Sequence, residues 1–225
     1  LSISGGSLAT PTLLLNGGTF QFTSGTLNLT GPSGLTVGAG GLLGSLVTVG
    51  NGQTLDVDNT TTIQSGSKIT AVGDFSSDLL QIDSGGQFDA PSGYTNNDEI
   101  QLSGVNARIT GSTLTNNGFI SSQGRINASL TNNGQINVPN GTLSIESQVI
   151  NNGQMDVSGG TLRFNSQVIN NISGYISGAG ASTIRFDGGL DNSGDVLLSF
   201  AAATVIGDIT NNSGGLVSVA GNSTT

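Results

Sequence analysis

Between residues 114 and 212 one phrase recurs: an apolar residue, a spacer, then an Asn pair followed by Gly. It reads Leu114-Thr115-Asn116-Asn117-Gly118, Leu130-Thr131-Asn132-Asn133-Gly134 and Val149-Ile150-Asn151-Asn152-Gly153. Val168-Ile169-Asn170-Asn171 delays its glycine to Gly174, and looser copies follow at Leu190-Asp191-Asn192-Ser193-Gly194 and Ile209-Thr210-Asn211-Asn212. With Asp191 aligned to the first Asn, successive copies are 16, 19, 19, 21 and 20 residues apart. A period near 20 identifies a solenoid, because one such repeat cannot bury its apolar face except against its neighbours.

Aligning the copies on their glycines exposes the core. Two residues later stand Ile120, Ile136, Met155, Ile176, Val196 and Val217; two further on come Ser122, Val138, Val157, Gly178, Leu198 and Val219. Residues between them are mostly polar, and this alternation marks a strand with one buried face. A second strand follows in each copy, as in Leu143-Ser144-Ile145, Leu162-Arg163-Phe164, Ile184-Arg185-Phe186 and Ala203-Thr204-Val205. A third inward position precedes the Asn pair: Val149, Val168, Leu190, Ile209. The spacing predicts a parallel β-helix of about three short strands per coil and 19–21 residues per coil. That gives about 11 or 12 coils and, at ~4.8 Å per coil, a rod roughly 55 Å long. Right-handed winding is expected, since parallel crossovers take that hand.

The Asn pairs (Asn116, Asn117, Asn132, Asn133, Asn151, Asn152, Asn170, Asn171, Asn211, Asn212) are read as structural corners. Asn and Gly tolerate the positive φ of a sharp turn, and stacked amides can hydrogen-bond along the axis. The chain is expected to be one continuous solenoid over 1–225, regular over 114–219. Over 1–113 the coils are less regular, with a longer loop expected within 75–109. The opening Leu1-Ser2-Ile3-Ser4-Gly5-Gly6 lacks the basic start and apolar stretch of a signal peptide; both ends read as solenoid interior, so the chain is expected to be a mature or excised part of a longer polypeptide.

Composition restricts function. Charged residues are 8% of the chain and the net charge is −9 with five basic residues. This balance disfavours binding to nucleic acid or anionic lipid. No 18-residue apolar run is present to insert in a membrane. The chain holds no Cys and no His, which removes thiolate sites and the usual base poised near neutral pH. Asp56 and Asp58 lie on one strand without a basic neighbour in sequence and are read as a solvated face. Asp74, Asp78 and Asp83 fall in the irregular segment and are weak candidates for calcium, which wants six to eight oxygens; otherwise no cofactor is expected. Arg163 and Arg185 occupy equivalent outward positions and are weak candidates for an anionic ligand, set against a reading as a mutually neutralised charge ladder.

The run from Leu130 to Phe164, with its Thr-Asn-Asn-Gly corners, Gly-Gln-Ile-Asn-Val strand and Gly-Thr-Leu strand, resembles repeats of secreted bacterial parallel β-helix proteins. These are the filamentous-haemagglutinin-like exoproteins and autotransporter passenger adhesins. The resemblance implies a right-handed β-helix at a bacterial cell surface, acting in adhesion, matrix or fibre assembly, and it supplies no catalytic residues. Implied partners are a glycan or matrix surface, or copies of the chain stacked end to end or side by side. The alternative is a carbohydrate-binding or carbohydrate-cleaving β-helix of the tailspike or lyase type.

Overall fold

The computed structural model describes residues 1–16, 18–199 and 202–221. Among these the chain is all β, with parallel strands stacked as a β-solenoid of about 11 turns. Among the described residues no helix is long and apolar enough to cross a membrane.

A regular coil has three sides, such as Gln135–Val138, Thr142–Ile145 and Val149–Asn151. Each side pairs in register with its counterparts: Ile136 faces Met155, Ile145 faces Phe164, and Val149 faces Val168. The first column of inward residues, Ile120, Ile136, Met155, Ile176 and Val196, is at most 1% exposed. Burial of each such side chain contributes roughly 1.5–3 kcal/mol relative to leaving it in water. Phe164 and Phe186 stack in successive coils with ring centroids 5.2 Å apart. In the last described coil Ile209, Val217 and Val219 are 38–68% exposed, since no described coil covers them. The Ala203 side chain lies outside the described residues.

The first 113 residues use the same device with longer strands that bend through a corner. Gln53–Ile63, Asp74–Asp83 and Glu99–Gly111 each serve two sides. Residues 75–109, where a loop is expected from sequence, are largely strand, because these bent strands carry the alternation through the corners. The third side changes character here. Asp74–Ser77 pairs with Thr54–Val57 below. The next strand on that side, Tyr94–Asn96, pairs only upward, with Leu114–Asn116. Phe75, Phe88 and Tyr94 pack together at this discontinuity, with ring centroids 4.8–6.2 Å apart.

The Asn pairs require two corrections. The first concerns register. Asn192, not Asp191, faces Asn170 and Asn211, and an additional pair, Asn96-Asn97, precedes Asn116-Asn117. The second concerns cause. None of these Asn residues has positive φ; among the described residues the one non-glycine that does is Asn16. What fixes the first Asn is an amide ladder. Asn96, Asn116, Asn132, Asn151, Asn170 and Asn192 are buried, and each Nδ2 donates to Oδ1 of the next, ending on Asn211, at 2.7–2.9 Å. Spare donor capacity goes to backbone carbonyls; Asn132 Nδ2 also reaches Gly134 O at 3.3 Å and Gln154 O at 3.2 Å. The second Asn of each pair forms an outer ladder running the other way. Asn171 donates to Asn152, Asn152 to Asn133, Asn133 to Asn117 and Asn117 to Asn97, at 2.6–3.0 Å. The glycine that follows is fixed by close approach: a Cβ on Gly134 or Gly153 would lie 2.1 Å from the carbonyl oxygen of the equivalent glycine one coil below.

Candidate functional site

On the second side of the coil, one outward column runs Lys68, Gln87, Arg108, Arg125, Ser144, Arg163, Arg185, Thr204. All five basic residues of the chain therefore share a single column. Each begins a triplet of cation, apolar residue and polar residue: Lys68-Ile69-Thr70, Arg108-Ile109-Thr110, Arg125-Ile126-Asn127, Arg163-Phe164-Asn165 and Arg185-Phe186-Asp187. The inward apolar residue locks the register, so cation and polar residue both point outward. This triplet was the legible signal for Lys68, Arg108 and Arg125, which an alignment on the Asn pairs alone did not reach.

Three of the five cations are engaged by acids offset by two residues along this side, on the same strand for Arg185 and in the next coil for Lys68 and Arg163. Lys68 Nζ lies 2.8 Å from Asp89. Arg163 lies 2.7 Å from Asp187, which also receives Arg185 Nε. The hydrogen bond from Arg185 is the largest influence on the Asp187 carboxyl and, joined against desolvation by the hydrogen bond from Arg163 and the charges of both guanidiniums, holds it below its usual range. Asp89 is likewise lowered, first by its hydrogen bond to Lys68 and then, against desolvation, by Thr110. Arg163 and Arg185, the anionic-ligand candidates from sequence, are thus drawn together onto one internal carboxylate.

Arg108 and Arg125 differ. Among the described residues neither forms an ion pair within 4.0 Å. They face each other across neighbouring coils and, with Asn106 and Asn127, line a cleft of about 210 Å³. Glu146, the next acid along this face, receives the Asn165 amide instead.

A second cleft lies around the adjacent corner, and its origin is the shortest spacing in the sequence. From Ile120 to Ile126 there are six residues, against nine from Ile100 to Ile109 and nine from Ile136 to Ile145. The strand Phe119–Ile126 runs from first to second side without interruption. The coil below needs Gly104 to Ala107 at that corner, and the coil above needs Pro139 to Gly141. Lacking three residues, the short coil cannot reach the corner, and a notch of about 200 Å³ is left. It is lined by Gln101, Ser103, Ser121, Ser122, Gln123 and Asn140, with Leu102 and Pro139. Ser122 stands in the inward column between Leu102 and the position of Val138 and is 4% exposed. Its Oγ has no hydrogen-bond partner. A buried hydroxyl without a partner is costly, by about 1–3 kcal/mol.

The carboxylates do not converge. Among the described residues no three Asp or Glu side chains gather as a metal-ligating group, so Asp74, Asp78 and Asp83 are not brought together. Asp74 lines a third cleft, of about 290 Å³, at the discontinuity between Gly73-Asp74-Phe75 and Gly93-Tyr94-Thr95. Burial, with Asp98 adding a smaller effect, pushes the Tyr94 hydroxyl well above its usual pKa. Asp56 accepts a hydrogen bond from Ser76 in the next coil.

No protein-family model, curated protein or solved structure matches the chain.

Proposed function

We propose that the chain is a non-catalytic, extracellular attachment rod, presenting a long rigid side to a glycan or matrix surface. The observation that carries this reading is the division of labour between inward and outward columns. Inward residues and the Asn ladder hold the coils, while in-register outward columns display hydrogen-bonding and charged groups on a fixed ~4.8 Å pitch. Such an array suits a polymeric surface. The chemistry on display favours binding over turnover. Glycoside cleavage needs two carboxylates roughly 5–10 Å apart across the bond; the three polar clefts carry one between them, Asp74. The resemblance of Leu130 to Phe164 to adhesin repeats supports a bacterial cell-surface setting.

The test combines retention and turnover. The chain is immobilised and exposed to bacterial cell-wall glycan, mucin and matrix preparations, and the same glycans are assayed in solution for new reducing ends. Saturable retention without new reducing ends is expected. Cleavage without retention would overturn the reading in favour of a carbohydrate-cleaving β-helix.

A further inference from the structure

Arg108 and Arg125 are not used by the fold as their counterparts are. Among the described residues the arginines lack the carboxylate that Lys68, Arg163 and Arg185 each find. Both belong to the two coils that meet at the missing corner. Gln123, which lines the notch, and Arg125 are two residues apart on one strand, so at most about 7 Å of extended chain separates them.

We propose that the notch and the arginine pair form one subsite for an acidic saccharide. The anionic substituent of one sugar lies on Arg108 and Arg125, and hydroxyls of the adjoining ring enter the notch. A guanidinium offers paired N–H donors that match the two oxygens of a carboxylate or sulfate. Two guanidiniums on neighbouring coils, neither in an ion pair among the described residues, add positive potential at one place on a chain of net charge −9. A bare anion would need donors alone. Here Asn106, Asn127, Gln101, Gln123 and Asn140 add amides, and Ser103 and Ser121 add hydroxyls, all of which donate and accept as sugar hydroxyls do. Ordered water can fill such a notch in the free chain, to be displaced by ring hydroxyls that reproduce its hydrogen bonds. The inference rests on the attachment reading and names its ligand class.

Isothermal titration of the intact chain with an oligogalacturonate, a sulfated oligosaccharide and a neutral oligoglucan tests it. At least one acidic oligosaccharide is expected to bind and the neutral one not; the two acidic arms show whether carboxylate or sulfate is the natural group. Replacing Arg108 or Arg125 by Gln is expected to weaken binding at least about tenfold. The control double variant Arg163→Gln/Arg185→Gln, whose guanidiniums are already engaged, is expected to leave it within about twofold. Three results would each overturn the proposal: no binding of either acidic oligosaccharide, equal binding of the neutral one, or equal losses in the control variant. Retention of the rod on cell-wall glycan with no binding in titration would remove this subsite and leave the attachment reading standing. Loss of both would remove both.

Discussion

Replacing Asn151 by Leu removes one rung from the centre of the buried ladder. Asn151 is fully buried, accepts from Asn132 Nδ2 at 2.9 Å and donates to Asn170 Oδ1 at 2.8 Å. Leucine fills a similar volume and makes neither bond. Two net hydrogen bonds are worth about 1 kcal/mol each. The two ends left behind are unequal. Asn132 Nδ2 keeps Gly134 O and Gln154 O as acceptors, while Asn170 Oδ1 loses its ladder donor, at a cost of about 1–3 kcal/mol. Added apolar burial returns about 1 kcal/mol, leaving a destabilisation of about 2–4 kcal/mol. For a domain of this size each kcal/mol moves the melting temperature by roughly 2–4 °C, so a fall of about 10 °C is expected by circular dichroism. In a stack held by nearest-neighbour interfaces the damage is local, and limited proteolysis is expected to cut first near coils 132–170. The matched control is Asn152→Leu in the outer ladder, where water can replace the amide; its cost is expected to stay below about 1 kcal/mol. Equal effects of the two substitutions, or a loss under about 1 kcal/mol for Asn151→Leu, would refute the ladder as a source of stability.

Three further outcomes follow from the same geometry. Asn151→Asp places a carboxyl where burial raises its pKa; the unfolded chain then releases its proton first, so stability of this variant falls by up to ~1.4 kcal/mol per pH unit above about pH 4, visible as a melting temperature that drops from pH 4 to pH 7. Gly153→Ala drives a methyl into Gly134 O at 2.1 Å and is expected to cost about 1–3 kcal/mol by chemical denaturation; a neutral result would show that the coils can separate freely at this corner. Asp187, held down first by Arg185 and then by Arg163, is expected to titrate by carboxyl NMR below the ordinary aspartate value, and Arg185→Gln is expected to raise its midpoint more than Arg163→Gln. Its stabilisation is present above the unfolded pKa and lost as pH falls through the lower folded value.

The regular half of the fold was legible because two periods coincide there. Alternation of two gives the buried face of each strand, and a spacing near 20 gives the coil. Ile136, Val138, Leu143, Ile145 and Val149 followed from that coincidence alone. The amino-terminal half was less legible because its strands bend. In Gln53–Ile63 the inward residues Leu55 and Val57 serve one side and Thr61 and Ile63 the next, so one run of sequence covers two sides. The Asn pairs were recognisable as structural, and of the two causes expected for them the amide ladder is present and the positive φ is not. Positive φ and an axial amide ladder favour the same residue type, and coordinates were needed to separate them. The site was hidden for the opposite reason. A spacing of 16 among spacings near 20 looks like irregularity in a repeat. It becomes meaningful only when the missing residues are placed at one corner, between Ser122 and Arg125. Arg163 and Arg185 stood out in the regular half, yet the fold pairs both with Asp187 and leaves Arg108 and Arg125 available.

The repeat builds the rod, and the proposed binding site comes from its short coil. Restoring the missing corner tests this most directly: Pro-Asn-Gly, the corner used by the coil above, is inserted between Gln123 and Gly124, giving that coil the common length of 19 residues. Titration with the acidic oligosaccharides is then compared with the original chain. The account predicts an intact far-ultraviolet spectrum, a melting temperature equal to or above that of the original chain, and loss of a binding signal the original shows. Undiminished binding in the lengthened chain, or no binding by the original, would contradict it.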